Sequence, residues 1–260
     1  MLVKQAANVI QLLEFFAERA KPASLAEISM HFGWPRSSTF NLLSTLATSG
    51  YLYEPGARGR FYPTPSWLHL SNRITSAEPV PEPLQQLVRH LADKTDETVC
   101  LSAPSGQHIV FLEVIQATAP IRYAADVGKR IPIHVSASGQ AILSQLPPNH
   151  RAAILRKAVL ERYADHSPMS IAEVEDSIME SLRRGWFRSA SNYSQDLGGV
   201  SVPLVLSERI FSVTIAGPLY RMTERMYHIA LTVHAAVEIY LGRDFLKQHA
   251  KGLTTPPLAG

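Results

Sequence analysis

The sequence predicts an α+β protein in two parts: a winged helix-turn-helix over residues 1–64, and a larger body over 81–247 in which an antiparallel sheet is flanked by helices. Three observations carry this expectation. Early in the chain, two helical segments meet at a short turn containing Gly33, and aromatic extended pieces follow on either side of "EPGARG". Residues 77–83, "AEPVPEP", concentrate prolines and mark a hinge behind a linker helix, so residues 65–80 are assigned to the connection. Past the hinge, alternating apolar segments are bracketed by longer helices, the pattern of an antiparallel sheet with helices packed on it.

Val3, Ala6, Ile10, Leu13 and Ala17 recur at helical spacing and predict a first helix over residues 3–20, with Pro22 beyond its end. Ser24 and Glu27 form a capping-box pair that opens a short second helix, "LAEISMHF", which stops at Gly33. Pro35 suits the first turn of a third helix. That helix runs to about Ser49, with Gly50 just past its end. Tyr51–Tyr53 and Phe61–Tyr62 read as the strands of a hairpin, a wing whose tip carries Arg58 and Arg60. "SWLHLSNRITS" is an amphipathic linker helix through Trp67, Leu70 and Ile74.

The third helix carries the strongest chemical signal. At 100° per residue, Phe40, Leu43 and Ala47 cluster on one side, flanked by Thr39, Leu42 and Leu46. The other side presents Ser37, Ser38, Asn41, Ser44, Thr45 and Thr48. A solvated face ordinarily favours Glu, Lys and Gln, which are better helix formers; this face has none. Short neutral donors and acceptors suit a helix lying in a DNA major groove, where Asn pairs bidentately with adenine. The DNA-contacting set is therefore Arg36, Ser37, Ser38, Asn41, Ser44 and Thr45 on the helix, with Arg58 and Arg60 on the wing reaching phosphates or the minor groove. Charge agrees: residues 1–76 hold seven Lys/Arg against four Glu, a net +3, while the other 18 Lys/Arg balance 18 Asp/Glu. A basic module on a neutral body points to a polyanionic partner, double-stranded DNA.

In the second body, "LQQLVRHLADKT" is a helix, and "ETVCLSAP" and "HIVFLEVIQ" are strands about the turn "SGQ". "IRYAADVGKRIPIHV" is strand and loop, and "SASGQAILSQL" is a loop entering a short helix. "NHRAAILRKAVL" and "IAEVEDSIMESLRRG" are helices. "WFRSASNYS", "VSVPLVLS" and "RIFSVTIAGP" are strands, the last two joined by a tight turn at Ser207–Glu208. "MYHIALTVHAAVEIYLGRDF" is a long C-terminal helix, and residues 248–260 are expected to form a disordered tail.

Several classes are disfavoured. No apolar run reaches the ~18 residues of a membrane span, and acidic residues inside the first apolar pattern argue against a signal peptide. Cys100 has no second cysteine to pair with, which suits a reducing cytoplasm and a small buried hydrophobe. The ten histidines lack metal-ligand spacing, so no metal or cofactor is expected. A serine hydrolase using the Ser-rich second body, and a sensor that meets only protein partners, remain as alternatives; G-x-S-x-G, GxGxxG and Walker patterns are absent.

The order of "SLAEISMHFGWPRSSTFNLLSTLATSGYL", "GKRIPIHVSASGQAIL", the helix ending "RRGWF" and "LGGVSVPL…FSVTIAGP" resembles the IclR family of bacterial transcriptional regulators over residues 3–245. The resemblance implies a GAF-like effector domain in the second body, a small organic acid as effector, and dimers that often pair into tetramers on DNA. It also implies a pocket at Ser136, Ala137, Ser138, Gly139, Ser191, Asn192, Ser201 and Thr214. Neutral hydroxyls and the N–H groups at the start of the "GQAIL" helix are suited to an aliphatic or aromatic carboxylate. Three departures from the family pattern are visible: Asn41 where many members carry Arg; Ser191 and Ser201 where some carry an acid and a Cys; and Thr214 and Ala216 where Ser is frequent.

Overall fold

A computed structural model describes residues 3–56, 58–77 and 80–256; Glu78 and Pro79 of the hinge and residues 257–260 of the tail lie outside the described residues. The chain divides into two compact units, residues 1–79 and 80–260.

In the first unit, α1 (Lys4–Arg19) buries Leu12, Phe15 and Phe16 and ends at Ala20 in the left-handed region. β1 (Ala23–Ser24) leads into α2 (Leu25–Phe32), whose capping box is complete: Glu27 N–H donates to Ser24 Oγ, and Ser24 N–H to Glu27 Oε2 at 2.8 Å. Gly33, at φ 64°, makes the turn into α3 (Arg36–Thr48). Ser29 and Trp34 lock that turn from both ends, Trp34 N–H to the Ser29 carbonyl and Ser29 Oγ–H to the Trp34 carbonyl. The wing strands β2 (Leu52–Tyr53) and β3 (Arg60–Pro63) pair antiparallel, and β1 adds to the free edge of β3 through Ala23↔Phe61 and Ser24↔Arg60. β1 escapes sequence reading because two residues carry no period. Leu12, Phe16, Ile28, Leu43 and Leu52 centre the core. α4 (Ser66–Ala77) is anchored at one end, where the Trp67 ring lies 4.5 Å from that of Tyr51 and its Nε1–H donates to the Tyr51 carbonyl. Otherwise α4 buries nothing, and Leu68 and Ile74 stand exposed.

The second unit is built on a six-stranded antiparallel sheet in the order β6-β5-β4-β9-β8-β7. Its strands are β4 (Thr98–Ser105), β5 (His108–Ile115), β6 (Arg130–Pro132), β7 (Phe187–Ala190), β8 (Leu197–Leu206) and β9 (Arg209–Pro218). β8 and β9 are joined by Ser207 and Glu208, both at positive φ, the mirror-image turn that matches strand twist. α5 (Glu82–Thr95) and α10 (Met226–Leu241) pack on each other and on the sheet. α6 (Ala137–Gln145) packs on β8 and β9 and against α8 (Ile171–Arg184), with α7 (Pro148–Lys157) between them in sequence. Strand alternation then divides the sheet. Pairing in register puts Cys100, Thr214 and Ser201 on the α6 face, while Val99, Ile215 and Val200 point the other way. Glu97, at the α5–β4 junction, has a fully buried side chain, and Arg221 of α9 (Leu219–Met222) grips it twice, at 2.5 and 2.8 Å. Gly217 is required beside it, since a Cβ there would collide with the Glu97 carboxylate.

Two expectations need correction here. The C-terminal helix ends at Leu241; Gly242 breaks it and α11 (Phe245–His249) follows. Residues 250–256 are docked rather than disordered. Leu253 is buried, Thr254 N–H donates to the Leu182 carbonyl at 3.0 Å, and Lys251 N–H donates to Gln145 Oε1 at 2.7 Å. An apolar Leu and partners for the backbone supply what a polar tail lacks.

Candidate functional site

In the first unit, the exposed face of α3 presents Arg36, Ser37, Ser38, Asn41, Ser44 and Thr45 together. Thr45 donates its hydroxyl to the Asn41 carbonyl at 2.7 Å. The core-facing row is Thr39, Leu43 and Leu46, not Phe40, Leu43 and Ala47. Thr39 can be buried because its Oγ1–H donates to the Pro35 carbonyl one turn back, at 3.1 Å. The buried direction is therefore turned by about 65°, less than one residue, towards the flanking Thr39 and Leu46. Phe40, 57% exposed, joins Ser37, Asn41 and Ser44 on the outer surface. The sequence alone places Phe40 inside, because an aromatic in an amphipathic helix reads as core.

The two wing arginines separate. Arg58 is exposed in the hairpin turn. Arg60 lies in β3, not at the tip, and its guanidinium turns inward to Glu27 at 3.1 Å and to the Pro22 carbonyl at 3.1 Å. Glu27 also pairs with Arg19. Donation from Ser24 N–H, then from the Ser24 hydroxyl, holds the Glu27 carboxyl down to about 2, so it remains the anionic partner Arg60 needs. The inward turn of Arg60 follows from β1, whose Ser24 pairs with Arg60 in register.

In the second unit a cavity of about 40 Å³ lies between the α6 face of the sheet and the start of α6. Ser136, Ala137, Ser138 and Thr214 line it. Ser136 is the N-cap of α6, accepting from Gly139 N–H at 3.1 Å, and its Oγ sits 3.2 Å from that of Ser138. Thr214 Oγ1–H donates to Ser201 Oγ at 2.8 Å.

The other expected pocket residues do not line this cavity. Ser201 is 0% exposed and donates to the Val213 carbonyl across the sheet, so it supports Thr214 from below. Gly139 faces Ile133, whose backbone a Cβ would strike. Ser191 sits at φ 55° in a turn and donates to the Gln195 carbonyl. Asn192 spends its amide on Ala190 N–H and the His166 carbonyl, both at 2.7 Å. In their place the cavity takes Ser189, Gly198 and Gly199 from β7 and β8, Cys100 and Phe111 from β4 and β5, and Tyr123 and Tyr193 from loops. Paired glycines inside a strand are a legible sign of close approach; the loop tyrosines left no periodic signal. Burial pushes the Cys100 thiol up to about 12, so it is a neutral wall at physiological pH.

Among the described residues no cluster of three or more His, Cys, Asp or Glu could hold a metal, and no helix is long and apolar enough to cross a membrane.

A winged helix-turn-helix whose third helix exposes a face of small polar residues, on a chain with a second cavity-bearing α+β unit, defines a DNA-binding transcriptional regulator. Residues 5–56 match the IclR helix-turn-helix domain, and residues 73–239 match the C-terminal domain of bacterial transcriptional regulator IclR. The chain belongs to the IclR family. Among curated proteins it is similar to the acetate operon repressor of Salmonella typhimurium, 26% identical over 245 residues that cover 89% of this chain and 87% of that protein. It is likewise similar to the transcriptional repressor IclR of Escherichia coli, 24% identical over the same shares. Thermotoga maritima IclR has the same fold, with a TM-score of 0.72 at 16% identity over 92% of this chain and 98% of that one. So does an IclR homolog from Microbacterium hydrocarbonoxydans complexed with 4-hydroxybenzoate, with a TM-score of 0.64 at 19% identity over 91% and 100%.

Proposed function

We propose that this regulator binds operator DNA of a catabolic operon in the cytoplasm as a dimer, or a dimer of dimers, and that a small carboxylate in the cavity of the second unit changes its operator affinity. The observation that carries the reading is the exposed face of α3, on which Ser37, Ser38, Asn41 and Ser44 stand clear of the core. Self-association is supported by apolar side chains that one chain leaves uncovered: Leu68 and Ile74 on α4, Val3 and Ile10 on or beside α1. The acetate operon repressor among the relatives supports a catabolic target.

The cavity favours an anion in two ways. Its lining holds no carboxylate, and the Ser136–Ser138 pair, in which one hydroxyl donates to the other, leaves one neutral O–H donor beside a helix N-terminus. Its size favours a short chain. At about 40 Å³ it is far smaller than the ~150 Å³ cavity that houses benzene. An aromatic acid requires the walls to move. Hydrolysis has little support, because no histidine or carboxylate lines the cavity to activate its serines.

The test uses the full chain and the duplex upstream of its own reading frame, followed by fluorescence anisotropy across a salt series and against a scrambled duplex. Binding should weaken steeply with salt, and one or more of acetate, propionate, pyruvate and lactate should change it. Gly199→Val plugs the cavity: its Cβ would meet neighbours only at 3.6 Å and beyond, ordinary contact distances. The variant should bind DNA like wild type and ignore the acid. Equal affinity for both duplexes removes the DNA reading; an unchanged acid response in Gly199→Val removes the cavity assignment.

A further inference from the structure

The cavity contains a donor without a partner. Tyr123 lines it, and its hydroxyl is buried from solvent with no hydrogen-bond partner among the described residues. Buried hydroxyls are almost always paired, because an unmade bond forfeits the solvation lost on folding. The residue is not loosely placed. Its backbone carbonyl accepts from Thr98 Oγ1–H at 2.7 Å, and Thr98 in turn accepts from Ala117 N–H at 3.1 Å, which pins the loop to the start of β4. Lys129 supplies a second feature: its Nζ lies 5.0 Å from the centre of the Tyr123 ring. Its charge also reaches the Cys100 thiol, another wall of the cavity. The lining itself carries no charged side chain. Burial, with Cys100 and Tyr193 beside it, pushes the Tyr123 hydroxyl up, so it keeps its proton and can donate it to an incoming acceptor.

Building on the effector-cavity reading above, we propose that Tyr123 and Lys129 form the acid-recognising end of the cavity. The Tyr123 hydroxyl donates to a carboxylate oxygen of the bound molecule, and the Lys129 ammonium, held against the ring face, supplies the positive charge. The ligand class is a short-chain carboxylate, chosen over neutral molecules of the same shape. The Ser136–Ser138 hydroxyls then remain for a second oxygen, so acids with a keto or hydroxyl substituent bind better than plain alkanoates.

The experiment titrates acetate, propionate, pyruvate, lactate and the neutral propionamide into the full-length protein by calorimetry, with melting curves, for wild type, Tyr123→Phe, Lys129→Met and Gly199→Val. Tyr123→Phe should melt at or above the wild-type temperature, since it deletes an unpaired buried hydroxyl, yet bind the best acid at least about tenfold more weakly. Lys129→Met should lose the preference for propionate over propionamide and the salt dependence of acid binding. If Tyr123→Phe binds the acid within twofold of wild type while Gly199→Val does not bind it, the cavity stands and the Tyr123 assignment falls. A clearly lower melting temperature in Tyr123→Phe shows the hydroxyl already paired and overturns the assignment too. If none of the four acids binds wild type, both this inference and the effector reading fail.

Discussion

Arg58 and Arg60 are two residues apart and identical in chemistry, yet the structure gives them opposite expectations. Arg58 is exposed in the wing turn and available to phosphate. Arg60 is held by Glu27 and the Pro22 carbonyl. Each phosphate contact contributes about 0.9 to the slope of log affinity against log salt. A dimer carrying Arg58→Ala in both copies loses about two contacts, so the slope should shrink by about 1.8. Between about 50 and 200 mM salt, a fourfold change, wild type should therefore lose about 12-fold more affinity than the variant. Arg60→Ala should leave the slope at the wild-type value. It should instead lower the melting temperature, because Glu27 loses a partner and β3 loses a tie to Pro22 and α2. Anisotropy at five or six salt concentrations, paired with melting curves, separates the two. If Arg60→Ala flattens the slope as much as Arg58→Ala, the inward pairing is not maintained on DNA and the argument from β1 fails.

Asn41→Ala should cost about 1–3 kcal/mol at one base pair of the operator and relax preference there, read from binding to a set of single-base operator variants. Acid should weaken the first unit through Glu27. Its carboxyl is held at about 2, below the ordinary value of 4.5, so its stabilisation is complete above about pH 4.5 and disappears as pH falls towards 2. Glu27→Gln should flatten that acid limb in circular-dichroism titrations. Truncation after His249 removes buried Leu253 and the ties of Lys251 and Thr254, and should destabilise the second unit by about 1.5–3 kcal/mol from the leucine alone, measured by urea unfolding.

Local chemistry settled much of this protein in advance. The α2 boundaries follow from the Ser24–Glu27 box and Gly33, and β9 with its turn at Ser207–Glu208 from alternation and turn residues, because these signals act within a few positions of chain. The polar character of the α3 outer face was legible for the same reason. What the sequence could not decide was which of two adjacent residues turns inward and which partner arrives from far along the chain. Thr39 displaced Phe40 from the core because a hydroxyl can satisfy itself on the Pro35 carbonyl, a local bond whose value depends on the shape of the surrounding core. Arg60 left the wing tip once β1 brought Ser24 and Glu27 beside it, a contact across 33 residues. Ser201 proved to be a support for Thr214, and Tyr123 a wall of the cavity, only when β4, β8 and β9 were set in register and Thr98 drew the loop onto β4. Periodicity reports which face of an element is apolar. The address of a single polar side chain depends on hydrogen-bond partners contributed by distant segments, and those meet only in the folded chain.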